Sequence, residues 1–423
     1  MRVLWTLPYL PWPITSGGKA RQYHLLRQMA ARGHAITLLV QSKTPLDEAT
    51  RAALQPLVER LIVLPRRPLK HPLTLLRAAL STRPLLATVN GHAPALSRTF
   101  ARLLDEPWDV VQIEHSYGFQ PYQAELARRD QPFVLTEHNV ESALGAATYD
   151  KWPLPLRLLG RLDRWRQRRW ERQVLSRAAT VVAVCDEDAQ ALSRIAGRPT
   201  RVVGNGVDTL AFAEVRPDAA AQRVLFVGNF EYAPNLDAVA WLLDEIAPRL
   251  WQARPQARIA ICGHALPAHW ARRWSDARIE WHGYVPDLRD VQRQASAFIA
   301  PLRAGGGSKL KVLEALAAGL PLVSTSEGIS GLGLARRQLA GAAPLACVAD
   351  EPQALADHLA RLLQDRAEAH RQGEAARDWV RAHHDWSLAA AQLQTVWESA
   401  ARLTPRRARS APATQAKQEA PCA

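Results

Sequence analysis

The sequence predicts an α/β chain of two Rossmann-like, doubly wound domains facing a cleft, on three observations. Short apolar strands alternate with amphipathic helices from residue 1 to about residue 382. The alternation restarts after Asn205-Gly206, a turn pair between two apolar runs. The chain has 423 residues, 48% hydrophobic and 22% charged. That suffices for two cores of about 150–200 residues each.

The elements follow in order. Val3–Leu7 is a strand, Pro8–Gly18 a loop, and Ala20–Ala31 a helix stopped at Gly33. Strands follow at Ile36–Val40, Asp109–Ile113 and Pro132–Thr136, then an arginine-rich helix, a strand at Thr180–Val184 and a helix at Glu187–Ile195. In the second half Arg223–Val227, Ala257–Ile261, Ile279–Trp281, Ala297–Ala300, Pro321–Ser324 and Leu345–Val348 read as strands. Helices lie at Leu236–Leu250, Leu288–Gln294 and Ser308–Ala318, and from Pro352 to about Ala382. Strands separated by helices build a parallel sheet covered on both faces, and ligands bind beyond the carboxyl ends of its strands. Residues 404–423, polar and rich in proline and alanine, are expected to be a disordered tail.

Composition narrows the class. No apolar run reaches the roughly 18–20 residues of a membrane span. The opening segment, with prolines at 8, 11 and 13, does not read as a secretory signal. Cys185, Cys262, Cys347 and Cys422 are scattered, so they are expected to be reduced thiols of a cytoplasmic protein. The histidines show no zinc spacing, and Asp186-Glu187-Asp188 opens a helix, where acids suit the dipole; no metal site is expected.

The net charge of +14 predicts attraction to an acidic partner. Lys151–Arg177 holds nine basic and two acidic residues, half of that net charge, together with Trp152, Trp165 and Trp170. Two readings stay open. The segment is a face for an anionic membrane surface, or a solvated arginine face on a helix whose Leu158, Leu159, Leu162 and Val174 pack inward. No recognition motif accompanies the basic cluster, which argues against nucleic acid.

The segment that carries chemistry is Pro301–Gly319, PLRAGGGSKLKVLEALAAG. A strand ends, Gly305, Gly306 and Gly307 follow, and Ser308 opens an amphipathic helix. Glycines let the backbone approach a ligand closely. A helix start offers unpaired N–H groups and the positive end of the dipole to a phosphate. Lys309 and Lys311 add positive charge. Glu314 lies almost two turns in, where a carboxylate can accept from sugar hydroxyls.

With its neighbours this segment resembles glycosyltransferase family 4, the retaining transferases of the GT-B fold. The resemblance covers about residues 1–400. It rests on Gly17-Gly18, Thr136-Glu137-His138-Asn139, Asn205-Gly206-Val207-Asp208, Phe226-Val227-Gly228, His282-Gly283-Tyr284-Val285, and Leu313-Glu314-Ala315 running to Gly319-Leu320-Pro321. It implies an acceptor-side domain at 1–204, a nucleotide-sugar-binding domain at 205–385, and a helix at 386–403 returning to the first domain. It implies that Glu314, matching the second glutamate of the family's Glu-x7-Glu motif, holds the donor ribose. The backbone at Gly17-Gly18 would face the donor phosphates and His138 would stand beside the transferred sugar. Gly228 would join the donor site, with Gly263 and the Tyr284-Val285 backbone cradling the nucleobase.

The departures from the family pattern are informative. The first motif glutamate is replaced by Gly306. The loop after Gly228, where the family usually has an arginine and a lysine against the diphosphate, offers Asn229 and Asn235. Lys309 and Arg303 are expected to replace those cations. A subgroup associated with exopolysaccharide and surface-glycan gene sets shares these departures.

The implied function is transfer of a sugar from a UDP- or GDP-sugar to a glycan or lipid-linked acceptor. The resemblance implies retention, no metal or cofactor is expected to be required, and the cysteines and the basic segment place the protein in the cytoplasm or peripherally at the inner membrane face. Backbone N–H groups at Gly305–Gly307, the helix dipole, Lys309 and Arg303 would stabilise the departing diphosphate, and His138 would position the sugar. Two other readings remain: a sugar-nucleotide epimerase on the same fold, and a non-catalytic nucleotide-sugar-binding partner, the latter motivated by Gly306.

Overall fold

The structure, a computed structural model, describes residues 1–66, 81–91, 93–143, 154–334 and 344–404, without the side chains of 154–159. Seven strands form the first sheet: β1 (Arg2–Leu7), β2 (Ala35–Ser42), β3 (Arg60–Pro65), β4 (Val110–Glu114), β5 (Val134–Thr136), β6 (Thr180–Ala183) and β7 (Arg201–Val202). Their order is β3-β2-β1-β4-β5-β6-β7, and every pairing is parallel. Six more form the second: β8 (Arg223–Val227), β9 (Arg258–Cys262), β10 (Ile279–His282), β11 (Ala297–Ala300), β12 (Leu322–Ser324) and β13 (Cys347–Val348). Their order is β10-β9-β8-β11-β12-β13, again all parallel. The fold is therefore α/β, with two Rossmann-like domains, as the alternation predicts. Strand order reverses between β1 and β4 in one sheet and between β8 and β11 in the other. Crevices open beyond the carboxyl ends of strands at such points, here after Leu7, Glu114, Val227 and Ala300.

Strand β3 is an element the apolar alternation does not announce. It is an edge strand, and none of its six residues is fully buried. The helix Gly17–Ala31 begins three residues before the expected start, because the Ser16 side chain accepts from the Lys19 N–H and caps it. This draws Gly17-Gly18 into the first helical turn. The helix after the glycine turn begins later than expected, at Leu310, and runs to Ala317. Ser308 and Lys309 therefore belong to the turn.

The helix Trp386–Ala401 lies against the helix Gly17–Ala31 of the first domain. Arg32 donates to Ser387 O (2.9 Å) and Gln394 Oε1 (3.0 Å). The Trp397 ring meets Trp5 edge-on, with centroids 5.4 Å apart. One apolar cluster runs without a break from Trp5 in β1, through Trp386 and Trp397, to Leu310 and Leu313 beside the glycine turn.

The arginine-rich helix spans Leu154–Arg177. Its inner stripe is Trp170, Val174 and Leu175, and Trp170 Nε1–H donates to Ser116 O (2.9 Å). Leu162 is 44% exposed and Trp165 56% exposed. The expected inward packing of Leu162 is thus corrected. At helical spacing, 162, 165 and 169 fall on one outer stripe, while 167, 170 and 174 fall on the inner one. Trp170 is likewise a core residue. Lys151, Trp152, the side chains of Leu158 and Leu159, and residues 405–423 lie outside the described residues. Cys185, Cys262 and Cys347 are free and buried; Cys422 also lies outside. Among the described residues no helix is long and apolar enough to cross a membrane.

Candidate active site

A cleft of about 860 Å³ opens where the two switch points face each other. Gly17, Gly18 and His138 line it from the first domain. Gly228, Gly263, Tyr284, Val285, Gly305, Gly306, Gly307, Ser308, Lys309 and Glu314 line it from the second. Asn229 and Asn235 line it too; Arg303 does not.

The glycine turn is where the domains touch. Gly307 has φ 61°, and a β-carbon there would lie 2.7 Å from the carbonyl oxygen of His138. Only a residue without a side chain fits that conformation and that approach. Asn205 Nδ2 donates to Ser308 Oγ (2.7 Å), tying the interdomain linker to the same turn. On the floor, Gly263 has φ 147°, and a β-carbon on it would overlap Gly228 O at 1.7 Å. The ends of β8 and β9 are thereby pressed together into a surface of bare backbone.

The cations are arranged differently from expectation. Lys309 Nζ bonds to Glu327 Oε1 (2.8 Å), Ser330 Oγ (2.6 Å) and Gly307 O (3.0 Å). Its charge is neutralised, and it works as a clasp on the turn. Arg303 reaches Asp237 through both carboxylate oxygens (2.6 and 3.0 Å) and lies over the Trp241 ring. It faces the flank of the domain, which corrects its expected place against the diphosphate. Lys311 is the cation that the cleft offers instead. It lines the cleft, donates to Asn235 Oδ1 (2.6 Å), and sits 4.4 Å over the Phe226 ring. It has no carboxylate partner among the described residues. Burial, with the neighbouring Lys309 charge, lowers its pKa to about 7. Asn235 in turn donates to Asn229 O (2.7 Å), so the two asparagines of the departed motif form a neutral shelf for this ammonium.

Glu314 shares the helix face of Lys311, three residues on. Burial raises its pKa to about 7, and no hydrogen bond or ion pair engages its carboxylate among the described residues.

His138 follows the end of β5, and its Nε2 lies 2.8 Å from Glu114 Oε2. Glu114 is fully buried at the end of β4 and accepts from Trp5 Nε1–H (3.0 Å) and Gln112 Nε2–H (2.8 Å). Burial pushes Glu114 up, but His138, Gln112 and Arg21 together bring it below its usual range. Burial likewise lowers His138. An ionised Glu114 facing a neutral imidazole fixes the proton on Nε2 and leaves Nδ1 as an acceptor. A β-carbon on Gly18 would lie 3.5 Å from that Nδ1 and 2.6 Å from Tyr9 Oη, so Gly18 keeps the approach open.

Further acids lie at this wall, Glu141 lining the cleft and Glu137 behind it. Glu137 is fully buried and pushed well above the carboxylate range by burial, then by Glu141 and Glu171. Burial and Glu171 raise Glu141 to about 7.

Two residues join the site that the motif reading does not place there, and a third, Lys311, enters that reading only as added charge. Lys311 is legible as Glu314 minus three, on one helical face. Glu114 and His115 are a polar pair at the carboxyl end of a buried parallel strand, the position where ligands meet such sheets.

Comparison with known proteins agrees with this geometry. Residues 16–206 match the family described as "Glycosyl transferase 4-like domain", and residues 221–365 the one described as "Glycosyl transferases group 1". A glycogen synthase of Mycobacterium tuberculosis is 26% identical over 424 residues, covering 95% of each chain. An uncharacterized 44.6 kDa protein in the cps region of Klebsiella pneumoniae is 23% identical over 334 residues, 76% of this chain and 82% of that one. The crystal structure of Anabaena HepE in complex with UDP and glucose superposes with TM-score 0.66 at 15% identity, over 94% of this chain and all of that one. The two domains and their cleft define a nucleotide-sugar-dependent glycosyltransferase of the GT-B architecture. It is of the family 4 type, with the 4-like domain in its amino half and the group 1 domain in its carboxyl half.

Proposed function

We propose that this chain transfers a sugar from a UDP- or GDP-sugar to a glycan or lipid-linked acceptor, with retention, in exopolysaccharide or surface-glycan synthesis. One observation carries the reading. The glycine turn, the Lys311 ammonium and the Glu314 carboxylate, neither with an ion-pair partner among the described residues, line one cleft, on one short helix and its approach. That is the complement of a nucleoside diphosphate: N–H groups and a cation for the phosphates, and an acceptor for the ribose hydroxyls. Gly228, Gly263 and the Tyr284-Val285 backbone receive the base. His138 Nδ1 accepts from a hydroxyl of the transferred sugar. As the bond to the diphosphate lengthens, Lys311 and the turn N–H groups take up the developing charge, so the donor side needs no metal. The HepE complex with UDP and glucose supports a UDP donor, and the relative in the Klebsiella cps region supports the exopolysaccharide assignment.

The test is incubation with radiolabelled UDP- and GDP-sugars, with and without a membrane-extracted acceptor pool. Release of nucleotide coupled to label transfer is expected. Release without acceptor would favour an epimerase, and binding without release a non-catalytic partner; either would overturn this reading.

The same reading places the protein at an anionic membrane surface. Exposed Leu162 and Trp165 stand among exposed Arg161, Arg168, Arg169 and Arg172 on the helix Leu154–Arg177. Leu85 and Leu86, also exposed, adjoin them, since the Leu85 N–H donates to Asp163 Oδ1 (2.8 Å). Each arginine near a headgroup surface contributes about 1 kcal/mol. Replacing Arg161, Arg168 and Arg169 by alanine should therefore weaken partition into phosphatidylglycerol vesicles about a hundredfold. Unchanged floatation of that variant would remove the membrane role.

A further inference from the structure

We propose that the first-domain wall of the cleft carries a site for one divalent transition-metal ion, formed by His115, Glu137 and Glu141. Each offers one ligand atom, and these atoms lie within 4.8 Å of one another. With bonds of about 2.0–2.4 Å, adjacent ligands on one ion stand about 3–4 Å apart and opposite ones about 4–5 Å, so the three side chains need close in by only about an ångström to hold one.

The individual groups point the same way. His115 is 4% exposed and Glu137 is fully buried. Each is held at one polar atom and left free at the other. Tyr9 Oη lies 3.4 Å from His115 Nε2, while His115 Nδ1 has no hydrogen-bond partner among the described residues and faces Glu141 Oε1 at 4.0 Å. The Ser116 N–H donates to Glu137 Oε1 (2.7 Å), while Glu137 Oε2 has no hydrogen-bond partner among the described residues. Buried nitrogen and oxygen atoms are rarely left in that state unless something else binds them. A histidine fixed through its second nitrogen by an outer partner is also how metal-binding histidines are oriented. Glu171, fully buried beside Glu137 and Glu141, adds further like charge that a divalent ion would offset.

One imidazole nitrogen with two carboxylate oxygens suits Mn²⁺ or Zn²⁺. His115 and Glu141 line the cleft, so the ion would keep a coordination position open to it, as catalytic sites do. The His115 ring lies 4.2 Å from that of His138, which puts the ion at the sugar and acceptor end of the cleft. An acceptor oxygen is the group it would hold. The ligand cluster stands on its own geometry, whereas its placing at the acceptor end rests on the donor reading above.

The experiment is a Mn²⁺ titration of the chelator-treated full chain, read by loss of the six-line electron paramagnetic resonance signal of free Mn²⁺, with Zn²⁺ calorimetry alongside. One ion per chain is expected to bind. Glu137→Gln and Glu141→Gln should weaken binding at least about tenfold, and Tyr9→Phe, which keeps every ligand but frees His115 Nε2, about tenfold. Each variant should keep the rise in Tm given by UDP, which reports an intact donor site. If Glu137→Gln does not fold, Glu141→Gln and Tyr9→Phe decide. A wild-type chain that leaves both ions free, or variants that bind as wild type does, would overturn the proposal, and protons on the carboxylates would then be what neutralises the cluster.

Discussion

Lys311→Ala is expected to lower kcat/KM for the donor about a hundredfold and to abolish a proton uptake that accompanies UDP binding. Removing one preorganised donor from a developing oxyanion costs about 10²–10³ in rate. The other basic groups near the turn cannot substitute, because Lys309 is bound to Glu327 and Arg303 to Asp237. Arg303→Ala should accordingly leave kcat/KM within about threefold, since an exposed ion pair of this kind contributes little. The proton uptake follows from the lysine's environment. With a pKa near 7, Lys311 is mostly neutral at pH 8 in the free protein. A diphosphate beside it favours the charged form and raises that pKa, so binding at pH 8 draws in close to one proton and weakens as pH rises. Glu314, near 7 from the other side, is already ionised at pH 8 and adds no release there. Calorimetry in buffers of different ionisation heat measures the uptake. Uptake that persists in Lys311→Ala would assign the diphosphate contact to another group.

The two-domain fold is legible because buried parallel strands are short runs of apolar residues, and those runs fall at or within a residue or two of β1, β8 and β11. Strand β3 is not, because an edge strand with no fully buried residue carries little of that signal. The glycine turn and Glu314 are legible from spacing alone, because a tight backbone turn and a helical repeat are local properties. The direction of a long side chain is not local. Arg303 is close to the turn in sequence, yet its guanidinium is claimed by Asp237, 66 positions earlier in the chain. Lys309 is turned inward by Glu327 and Ser330, which approach only once the following loop has folded back. Nor could the sequence connect Trp397 with Gln112, 285 positions apart, although that bond leads through Glu114 to His138 in the cleft.

Glu114→Gln tests that connection, and it is expected to lower kcat by about ten- to a hundredfold while changing the donor KM less than about threefold. The carboxylate lies behind His138, away from the glycine turn proposed to hold the diphosphate, so ground-state donor binding is expected to lose little. Its loss acts on the imidazole instead. A charged acceptor 2.8 Å from Nε2 keeps the proton there and Nδ1 bare toward the cleft; a hydrogen bond to a charged group of this kind contributes about 1.5–3 kcal/mol. A glutamine can present its NH₂ to Nε2, which favours the opposite tautomer and turns the sugar-facing nitrogen from acceptor to donor. Nitrogen-15 NMR of the His138 ring should report the Nε2–H form in the wild type and a mixed or reversed population in the variant. Trp397→Phe should show the same effect in weaker form. Trp397 Nε1–H holds Gln112 Oε1 (2.6 Å), and Gln112 Nε2–H holds Glu114 (2.8 Å). A free Gln112 amide can rotate and leave one oxygen of Glu114 short of a donor. If kcat fell in Glu114→Gln with the tautomer unchanged, the carboxylate would be a packing element of the core and not a positioning residue for His138.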